Sequence, residues 1–383
     1  EGSCSLRFSS FNINGLNTLF NYHPWNELKL KLDKDSNRLE GIFEFLKADI
    51  ISLQELKIGN VDKVLVTSGF KSFVSLSKSK RSYSGVGLFI RIPQKNDDIN
   101  FQKLLIIKKV EEGLTGNLKV PSSGEITYKE SPDGIGGYPL GFDVSLDNEG
   151  RCIIVELNFN IVIISLYCPA NSNGTESGEL FRLNFLKCLI ERCKNLISMG
   201  KEVIVMGDIN VSRDLIDNDE IIREGLKIGI LQKNLNGKQN GDFFENINFD
   251  QVFKFRESTQ AKKLINDIIK DDYFEKLCQE HGIIIPNSQL DKKFLYDTIR
   301  ISQGRKLKLY TCWNTLKNNR SINSGSRIDH IFATEKLAKN SYGNILPHLM
   351  GSDHCPIYCD FQLQDYIKNF IKDDKFGKPE DQD

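Results

Sequence analysis

The chain has 383 residues, with 51 lysines and arginines against 51 aspartates and glutamates, so its formal net charge is zero. Hydrophobic residues make up 39% of it and charged residues 27%, the balance of an ordinary globular protein. No apolar run approaches the roughly 20 residues of a membrane span, and the first residues lack the basic-then-apolar pattern of a signal peptide. A chain with zero net charge has no overall electrostatic attraction for nucleic acid, although a local basic face would supply phosphate contacts.

Nine cysteines stand at positions 4, 152, 168, 188, 193, 278, 312, 355 and 359, and none belongs to a Cys-x-x-Cys pair. An odd number without that spacing argues against a disulfide framework and against a zinc ribbon. The pattern is typical of a reducing intracellular compartment. We therefore expect these thiols to be small buried hydrophobic side chains.

Apolar periodicity predicts alternating strands and helices along the chain. The predicted strands are residues 6–12, 50–53, 70–76, 86–90, 104–110, 152–157, 161–167, 203–206, 307–313, 327–332 and 355–361. The predicted helices are residues 39–46, 180–197 and 259–281.

This alternation, with some strand pairs joined by short turns, predicts an α/β fold in which mixed sheets form a sandwich. We expect one domain over residues 1–365, with insertions near residues 93–139 and 237–305. Residues 366–383 are rich in charge and poor in apolar side chains. We expect this tail to be disordered.

Polar residues follow the predicted strands with unusual regularity. They are Asn12, Asn14, Glu55, Tyr167, Asp208, Asn210, Asp329, Asp353 and His354. In α/β sheets, ligands and catalytic groups gather where strand ends open into a crevice. We therefore expect these side chains to share one site.

The chemistry of this set fits metal-assisted hydrolysis of a phosphate ester. The oxygen-bearing side chains of Asn14, Glu55 and Asp353 suit Mg²⁺ or Mn²⁺ better than zinc. Asp208 and Asn210 are two residues apart, so on an extended chain both would point to the same side. One of them would then activate a water molecule while the other orients it or the substrate.

A second pairing joins a carboxylate to an imidazole. Asp329 would fix the tautomer of His354 and favour its protonated form. An imidazolium beside a divalent cation is suited to hold a phosphate group as charge develops in the transition state.

Each of these features alone has a commonplace structural explanation. Asn14 with Gly15 is typical of a turn, and the GDIN sequence at 207–210 is also more often a turn than a catalytic site. An Asp-His dipeptide is usually found in a surface loop. Their order and company along one chain favour a functional interpretation.

In chain order, seven motifs resemble those of the exonuclease III / class II AP endonuclease family, within the endonuclease/exonuclease/phosphatase superfamily. They are FNINGL at 11–16, LQELK at 53–57, YSGVG at 83–87, YCP at 167–169, GDIN at 207–210, RIDH at 327–330 and SDHCP at 352–356. The match spans residues 6–362. Residues 19–25 and 309–314, with the two insertions, resemble the AP endonuclease 2 branch more than the AP endonuclease 1 branch.

The resemblance implies a four-layer α/β sandwich of two mixed β-sheets flanked by helices. It implies that Glu55, Asn14 and Asp353 bind Mg²⁺ or Mn²⁺. It also implies that Asp208 aligns or deprotonates the attacking water, with Asn210 beside it.

The resemblance assigns further residues to the phosphate. Tyr167 and Asn12 would contact the scissile phosphate or brace the site, and Asp329 and His354 would form the dyad that contacts it. The chain departs from the family pattern at Ala170, where many members carry Asn directly after the Tyr-x-Pro motif. The side chain expected to make one phosphate contact is therefore absent at this position.

The expected substrate pocket also differs from that of the AP endonuclease 1 branch. Cys312 and Ser326 stand where that branch has Phe and Trp, and the third pocket residue is Ile328. A wider and less apolar pocket selects less strongly for a bare abasic sugar. We therefore expect strong processing of 3′ ends relative to abasic incision.

The implied function is that of a metal-dependent DNA repair nuclease, with AP endonuclease, 3′-phosphodiesterase and 3′–5′ exonuclease activities. Its substrate would be double-stranded DNA with abasic sites or with blocked or mismatched 3′ ends. The resemblance also implies a nuclear monomer. A sliding clamp is expected as a partner only through a region that this chain does not contain.

Two alternatives stay open. One is another superfamily phosphoesterase, such as an inositol polyphosphate phosphatase or a sphingomyelinase, against which the motifs at 11–16 and 83–87 argue. The other is a catalytically inactive DNA-binding homologue. Such a protein typically loses the metal-binding Glu or the terminal Asp-His, and both are present here as Glu55, Asp353 and His354.

Overall fold

The computed structural model describes residues 4–27, 38–61, 67–233 and 240–376. Within these ranges the strands are β1 (Ser5–Asn12), β2 (Ile50–Gln54), β3 (Phe70–Ser75), β4 (Val86–Arg91), β5 (Ile107–Glu112), β6 (Cys152–Leu157), β7 (Ile161–Tyr167), β8 (Glu202–Asp208), β9 (Ile269–Lys270), β10 (Leu295–Asp297), β11 (Cys312–Trp313), β12 (Gly325–Ser326), β13 (Asp329–Ala333), β14 (Ser341–Ile345) and β15 (Ile357–Gln362).

The helices in the same ranges are α1 (Leu16–Leu19), α2 (Arg38–Leu46), α3 (Ile99–Leu104), α4 (Glu176–Ser198), α5 (Asp219–Lys227), α6 (Asp242–Ile247), α7 (Phe249–Arg256), α8 (Gln260–Ile268), α9 (Asp272–Glu280), α10 (Asn287–Leu290), α11 (Thr298–Gln303), α12 (Glu335–Ala338) and α13 (Gln364–Phe376). Short 3₁₀ turns lie at Trp25–Glu27, Val144–Asp147 and Leu215–Asp217. None of the described helices is both long and apolar enough to cross a bilayer.

Among the described residues, the strands build two large mixed sheets and one short hairpin. The first sheet has the order β14-β15-β1-β2-β4-β3 and the second β5-β6-β7-β8-β13-β10-β9, while β11 pairs with β12. β1 runs parallel to β2 and β7 parallel to β8, whereas β15 and β13 run antiparallel to β1 and β8. Each sheet therefore has a central parallel pair whose carboxyl ends lie at the same edge.

The two sheets face each other across one apolar core. Phe8 and Ile50 of the first sheet lie in the same buried cluster as Ile163 and Met206 of the second. Helix α2 packs on the other face of the first sheet and helix α4 on the other face of the second. The order is thus helix, sheet, sheet, helix, and the predicted four-layer α/β sandwich is confirmed.

The predicted tail needs correction. Residues 366–376, expected to be disordered, belong to helix α13, in which Ile367 is fully buried in the core between the sheets. The Tyr366 hydroxyl donates to the Phe159 carbonyl at 2.6 Å. Composition missed this helix because a few apolar residues, spaced one turn apart, are enough to bury one face. Residues 377–383 lie outside the described residues.

Three other elements differ from prediction. The strand predicted at 307–313 is limited to β11, and the strand predicted at 104–110 starts only with β5, after helix α3. The helix predicted at 259–281 breaks into α8 and α9, because β9 between them pairs with β10. We propose that residues 93–139 and 237–305 are insertions, of which 237–239 lie outside the described residues. Their described parts contribute strands at the two ends of the second sheet.

Candidate active site

The ends of the central strands bring the predicted residues together. Asn12, Tyr167 and Asp208 are the last residues of β1, β7 and β8, and Glu55 follows β2. Asp208 pairs in register with Tyr167 on one side. On the other side it pairs with Asp329, the first residue of the antiparallel strand β13. Strand register therefore places these polar side chains at one edge that both sheets share.

The side chain of Asn12 joins the two sheets. It is fully buried, and its Nδ2 donates to Glu55 Oε1 and to Asp208 Oδ2, both at 2.9 Å. Its Oδ1 accepts from the backbone N–H of Asn14 at 3.0 Å. The amide nitrogen has two N–H bonds, and both are used. One reaches Glu55, which follows β2 of the first sheet, and the other reaches Asp208, which ends β8 of the second. Asn12 is thus positioned to brace the site.

The predicted dyad is formed. His354 Nδ1 lies 2.7 Å from Asp329 Oδ2, and its Nε2 lies 3.7 Å from Asp208 Oδ2. Burial disfavours the charged imidazole, but Asp329, Cys312 and Asp208 outweigh it and raise the pKa of His354 well above its ordinary value. The side chain is therefore an imidazolium at neutral pH, with Nδ1–H donating to Asp329 and Nε2–H as its second donor, on the side of Asp208.

Asp208 is a buried carboxylate with an unusual protonation equilibrium. Burial and the charge of Asp329 raise the pKa of Asp208 to about 7, against the opposing effects of His354 and of the hydrogen bond from Asn12. A carboxylate whose pKa lies near the operating pH is well matched to general-base catalysis. Its Oδ1 accepts from the backbone N–H of Asn210 at 3.0 Å.

The expected side-by-side arrangement of Asp208 and Asn210 is wrong. The chain is not extended there, because Asn210 has a left-handed backbone conformation with φ of 55°. Its Nδ2 donates instead to the Cys168 carbonyl at 2.7 Å. The contact of Asn210 with Asp208 is thus made by the backbone, and its side chain fixes the loop after β7.

Two of the three expected metal ligands converge on a cation. The Lys57 ammonium lies 2.7 Å from Asn14 Oδ1 and 3.2 Å from Glu55 Oε2. Burial opposes ionisation of Glu55, but the Asn12 hydrogen bond and the charge of Lys57 lower its pKa. A pair of oxygens already arranged around a positive charge fits a hard divalent ion. Sequence analysis gave Lys57 no role.

The third expected ligand is tied to the same strand end. Ser352 Oγ lies 2.7 Å from the Asn12 carbonyl oxygen and 3.3 Å from Asp353 Oδ1. Asp353 is partly exposed, so its carboxylate can be reached from solvent.

An arginine not singled out by the sequence orients Tyr167. The buried guanidinium of Arg151 lies 4.6 Å from the centroid of the Tyr167 ring. It donates hydrogen bonds to the backbone carbonyl of Tyr167 at 3.1 Å and to the Tyr83 hydroxyl at 2.9 Å. Burial, then the charges of Glu55 and Asp208, raise the pKa of Tyr167. The phenol therefore stays protonated and serves as a hydrogen-bond donor.

The three expected pocket residues lie beside the dyad. Cys312 pairs with Ser326 across the β11–β12 hairpin and also forms a β-bridge with His354. The backbone N–H of Ile328 donates to Thr311 Oγ1 at 3.1 Å. Cys312, Ser326 and Ile328 are each partly exposed, as residues that line an opening would be.

Arg327 is a positioning residue that sequence analysis also missed. It is fully buried and makes two hydrogen bonds to each of Asp217 and Asp297, all between 2.8 and 3.0 Å. Paired arginine–carboxylate contacts of this kind are strong and directional. They anchor the chain two residues before Asp329. The one sequence feature that pointed to Arg327 was its place in the RIDH motif at 327–330.

Arg320 connects the pocket hairpin to the loop that carries His354. It donates to the carbonyls of Pro347, Leu349 and Ser352 at 2.9 to 3.1 Å, and its guanidinium lies 4.3 Å from the Trp313 ring centroid. No sequence pattern predicts these contacts, because they depend on how two distant loops meet.

Comparison with known proteins identifies the family. Residues 9–354 match the profile of the Endonuclease/Exonuclease/phosphatase family. The chain belongs to this family. Endonuclease/exonuclease/phosphatase enzymes depend on a metal ion, and the oxygen atoms around Lys57 are suited to hold one.

Within the endonuclease/exonuclease/phosphatase family, the chain is similar to proteins named DNA-(apurinic or apyrimidinic site) endonuclease 2. It is 40% identical to that of Saccharomyces cerevisiae over 377 residues, 30% to that of Schizosaccharomyces pombe over 388 and 26% to that of Homo sapiens over 369. The alignments cover 94%, 97% and 92% of this chain but 67%, 61% and 59% of those proteins. The predicted resemblance to the AP endonuclease 2 branch is confirmed.

Two solved structures confirm the fold. The Xenopus laevis APE2 catalytic domain matches with a TM-score of 0.64 at 21% identity, over 93% of this chain and 92% of that one. The Leishmania major AP endonuclease LMAP matches with a TM-score of 0.56 at 17% identity, over 94% and 88%.

The raised pKa of His354 predicts a pH-dependent contribution to stability. Because the folded-state pKa is higher than the unfolded one, this contribution is fully present below about 6.5 and is lost as the pH rises through the folded-state pKa. In metal-free protein, the free energy of unfolding lost in His354→Gln should therefore shrink as the pH is raised from 6.5. Urea unfolding at several pH values measures it, with the exposed His348→Gln as control. A loss that stays constant or grows with pH would contradict the assignment.

Proposed function

We propose that this member of the endonuclease/exonuclease/phosphatase family is a metal-dependent DNA repair nuclease. It hydrolyses phosphodiester bonds at abasic sites and at 3′ ends, as an AP endonuclease, 3′-phosphodiesterase and 3′–5′ exonuclease. The observation that carries the proposal is the buried Asp208 carboxylate, held by Asn12 at 2.9 Å and facing the His354 imidazole at 3.7 Å. The names of the relatives support DNA with abasic sites as the substrate.

In the proposed reaction, Asp208 aligns the attacking water and accepts its proton. Asn12 and the Asn210 backbone hold the carboxylate in place through the two hydrogen bonds described above. His354 Nε2–H and the Tyr167 phenol donate to phosphate oxygens, where negative charge builds in the transition state. The hydrogen bond between His354 Nδ1 and Asp329 keeps the imidazole protonated and orients its ring for that contact.

Glu55, Asn14 and Asp353 would hold Mg²⁺ or Mn²⁺. Carboxylate and amide oxygens are the donors that these hard ions prefer. When bound, the ion polarises the phosphoryl oxygen as a Lewis acid. The Lys57 ammonium, which contacts the oxygens of Asn14 and Glu55, would move off them as the ion binds, because like charges at one position repel.

We propose double-stranded DNA with abasic sites or with blocked or mismatched 3′ ends as the substrate, a nuclear location and a monomeric enzyme. A sliding clamp is proposed as a partner only through residues outside this chain. The relatives are named for action on abasic DNA, which supports this substrate over an inositol phosphate or a sphingolipid. The presence of Glu55, Asp208 and His354 in one site supports an active enzyme rather than an inactive homologue.

Metal removal tests the proposed function. EDTA should abolish cleavage of an abasic duplex, and excess Mg²⁺ or Mn²⁺ should restore it. Glu55→Gln keeps the size of the side chain but removes its charge, so the ion should be held more weakly. Turnover should fall roughly 10²-fold or more, the scale for losing the stabilisation of transition-state charge that the ion would supply. Glu44→Gln, on the exposed face of α2, is the matched control and should cleave at the wild-type rate. Full activity of metal-stripped enzyme in chelator would contradict the proposal.

The pocket residues generate a prediction about substrate preference. Filling the pocket with two large apolar rings, in the double variant Cys312→Phe, Ser326→Trp, should favour a bare abasic sugar over a terminal nucleotide with its base. The ratio of abasic incision to 3′–5′ exonuclease rate should therefore rise above that of the wild type. Steady-state rates on an internal abasic duplex and a mismatched 3′ end measure it, with Ser321→Trp on the exposed hairpin as control. An unchanged ratio would show that these positions do not select the substrate.

A further inference from the structure

One cysteine differs from the rest. Of the nine cysteines, all of which the structure describes, eight are buried and only Cys312 is partly exposed. It lies beside the dyad, through its β-bridge with His354. The proposed phosphodiester chemistry needs no thiol at this position.

Cys312 belongs to a cluster of three different metal-binding groups. One ligand atom from each of Cys312, Asp353 and His354 lies within 4.8 Å of the other two. Around a tetrahedral ion with Zn–N and Zn–S bonds of roughly 2.0 and 2.3 Å, ligand atoms are about 3.5 Å apart. The ligand atoms therefore need to approach one another by at most roughly 1.3 Å. Cys312 and Asp353 are partly exposed, so rotation of their side chains can supply this movement.

The backbone holds the two ligand-bearing segments together. The Trp313 N–H donates to the Asp353 carbonyl at 2.9 Å, and the Cys355 N–H donates to the Thr311 carbonyl at 2.8 Å. Arg320 adds a hydrogen bond from the hairpin to the Ser352 carbonyl at 2.9 Å. The thiol, carboxylate and imidazole thus sit on a fixed antiparallel pair of segments, so little ordering is needed to bind an ion.

The orientation of His354 suits a transition metal. Its Nδ1 is engaged by Asp329 at 2.7 Å, which leaves Nε2 as the atom available to an ion. A carboxylate behind a histidine is the usual arrangement around zinc, where it fixes the tautomer and strengthens the ligand. Thiolate and imidazole donors select zinc and cadmium, whereas the oxygen set of Asn14, Glu55 and Asp353 selects magnesium or manganese.

We propose that Cys312, Asp353 and His354 form a second, inhibitory site for a thiol-seeking divalent ion such as Zn²⁺ or Cd²⁺. As the ion binds, the Cys312 thiol and the His354 imidazolium each release a proton to solvent, and water completes the coordination. The bound ion takes Asp353 away from the hard-metal site and His354 away from the phosphate. The inhibition rests on the proposed nuclease function, whereas the binding does not.

Metal binding is tested without DNA. Titration of the wild-type protein with Cd²⁺ should produce a sulfur-to-metal charge-transfer absorption band that saturates at one ion per chain. Cys312→Ser should lose this band, and the exposed His348→Gln, a control for adventitious surface binding, should keep it. Absence of the band in the wild type, or its persistence in Cys312→Ser, would overturn the site.

A second measurement avoids any doubt about folding of the variant. In wild-type protein, Zn²⁺ should slow alkylation of Cys312 by iodoacetamide, read by peptide mass spectrometry, while Mg²⁺ at the same concentration should not. Equal alkylation rates with and without Zn²⁺ would overturn the proposal.

Inhibition is measured on an abasic duplex with Mg²⁺ in excess, and each protein is compared with its own rate without zinc. Cys312→Ser should need at least roughly tenfold more Zn²⁺ than the wild type for half inhibition, because it loses one strong ligand. Equal sensitivity of the two proteins would overturn the inhibitory role. A protein that shows the band but cleaves no DNA would refute the nuclease proposal and leave the metal site standing.

Discussion

One buried amide determines how this site is assembled. The two N–H bonds of Asn12 reach Glu55 and Asp208, carboxylates that follow or end strands of different sheets. In sequence, Glu55 is 43 residues from Asn12 and Asp208 is 196 residues from it. Two acidic groups brought so close would repel one another without a donor between them. The amide satisfies both and carries no charge itself. It therefore links the proposed metal side of the site to the water-activating side.

The rest of the fold brings these groups to the amide. Parallel pairing of β1 with β2 and of β7 with β8 puts four strand ends at one edge, and the antiparallel β13 delivers Asp329 opposite Asp208. Arg327 anchors β13 through its hydrogen bonds to Asp217 and Asp297. Because burying a charged group is costly unless it is paired, these two carboxylates are what allow Arg327 to lie in the interior. Arg320 places the hairpin of Cys312 against the loop of His354. Two arginines outside the site, the fully buried Arg327 and the partly exposed Arg320, thus support a site made mostly of acids.

Local signals in the sequence were enough for the main strands and for the side chains that follow them. The apolar runs that end in Asn12, Tyr167 and Asp208 are visible in the sequence, and the structure places these residues at strand ends. What sequence could not predict depends on contacts between distant residues or on local backbone geometry. The left-handed turn at Asn210 and the ammonium of Lys57 between two oxygens leave no periodic trace. The tail helix does have apolar residues at helical spacing, such as Ile367 and Phe370, but its charge-rich composition outweighed them in the prediction.

The most direct test of this account is a double-mutant cycle between Asn12 and Asp208. Single-turnover cleavage of an abasic duplex at saturating Mg²⁺ would be measured for Asn12→Ala, Asp208→Ala and the double variant. If Asn12 acts by holding Asp208 as well as Glu55, part of the two losses shares one cause. The further loss from Asn12→Ala in the Asp208→Ala background should then be much smaller than its loss in the wild type. Losses that multiply in the double variant would show that the two residues act independently, and this would contradict the central role given to the amide.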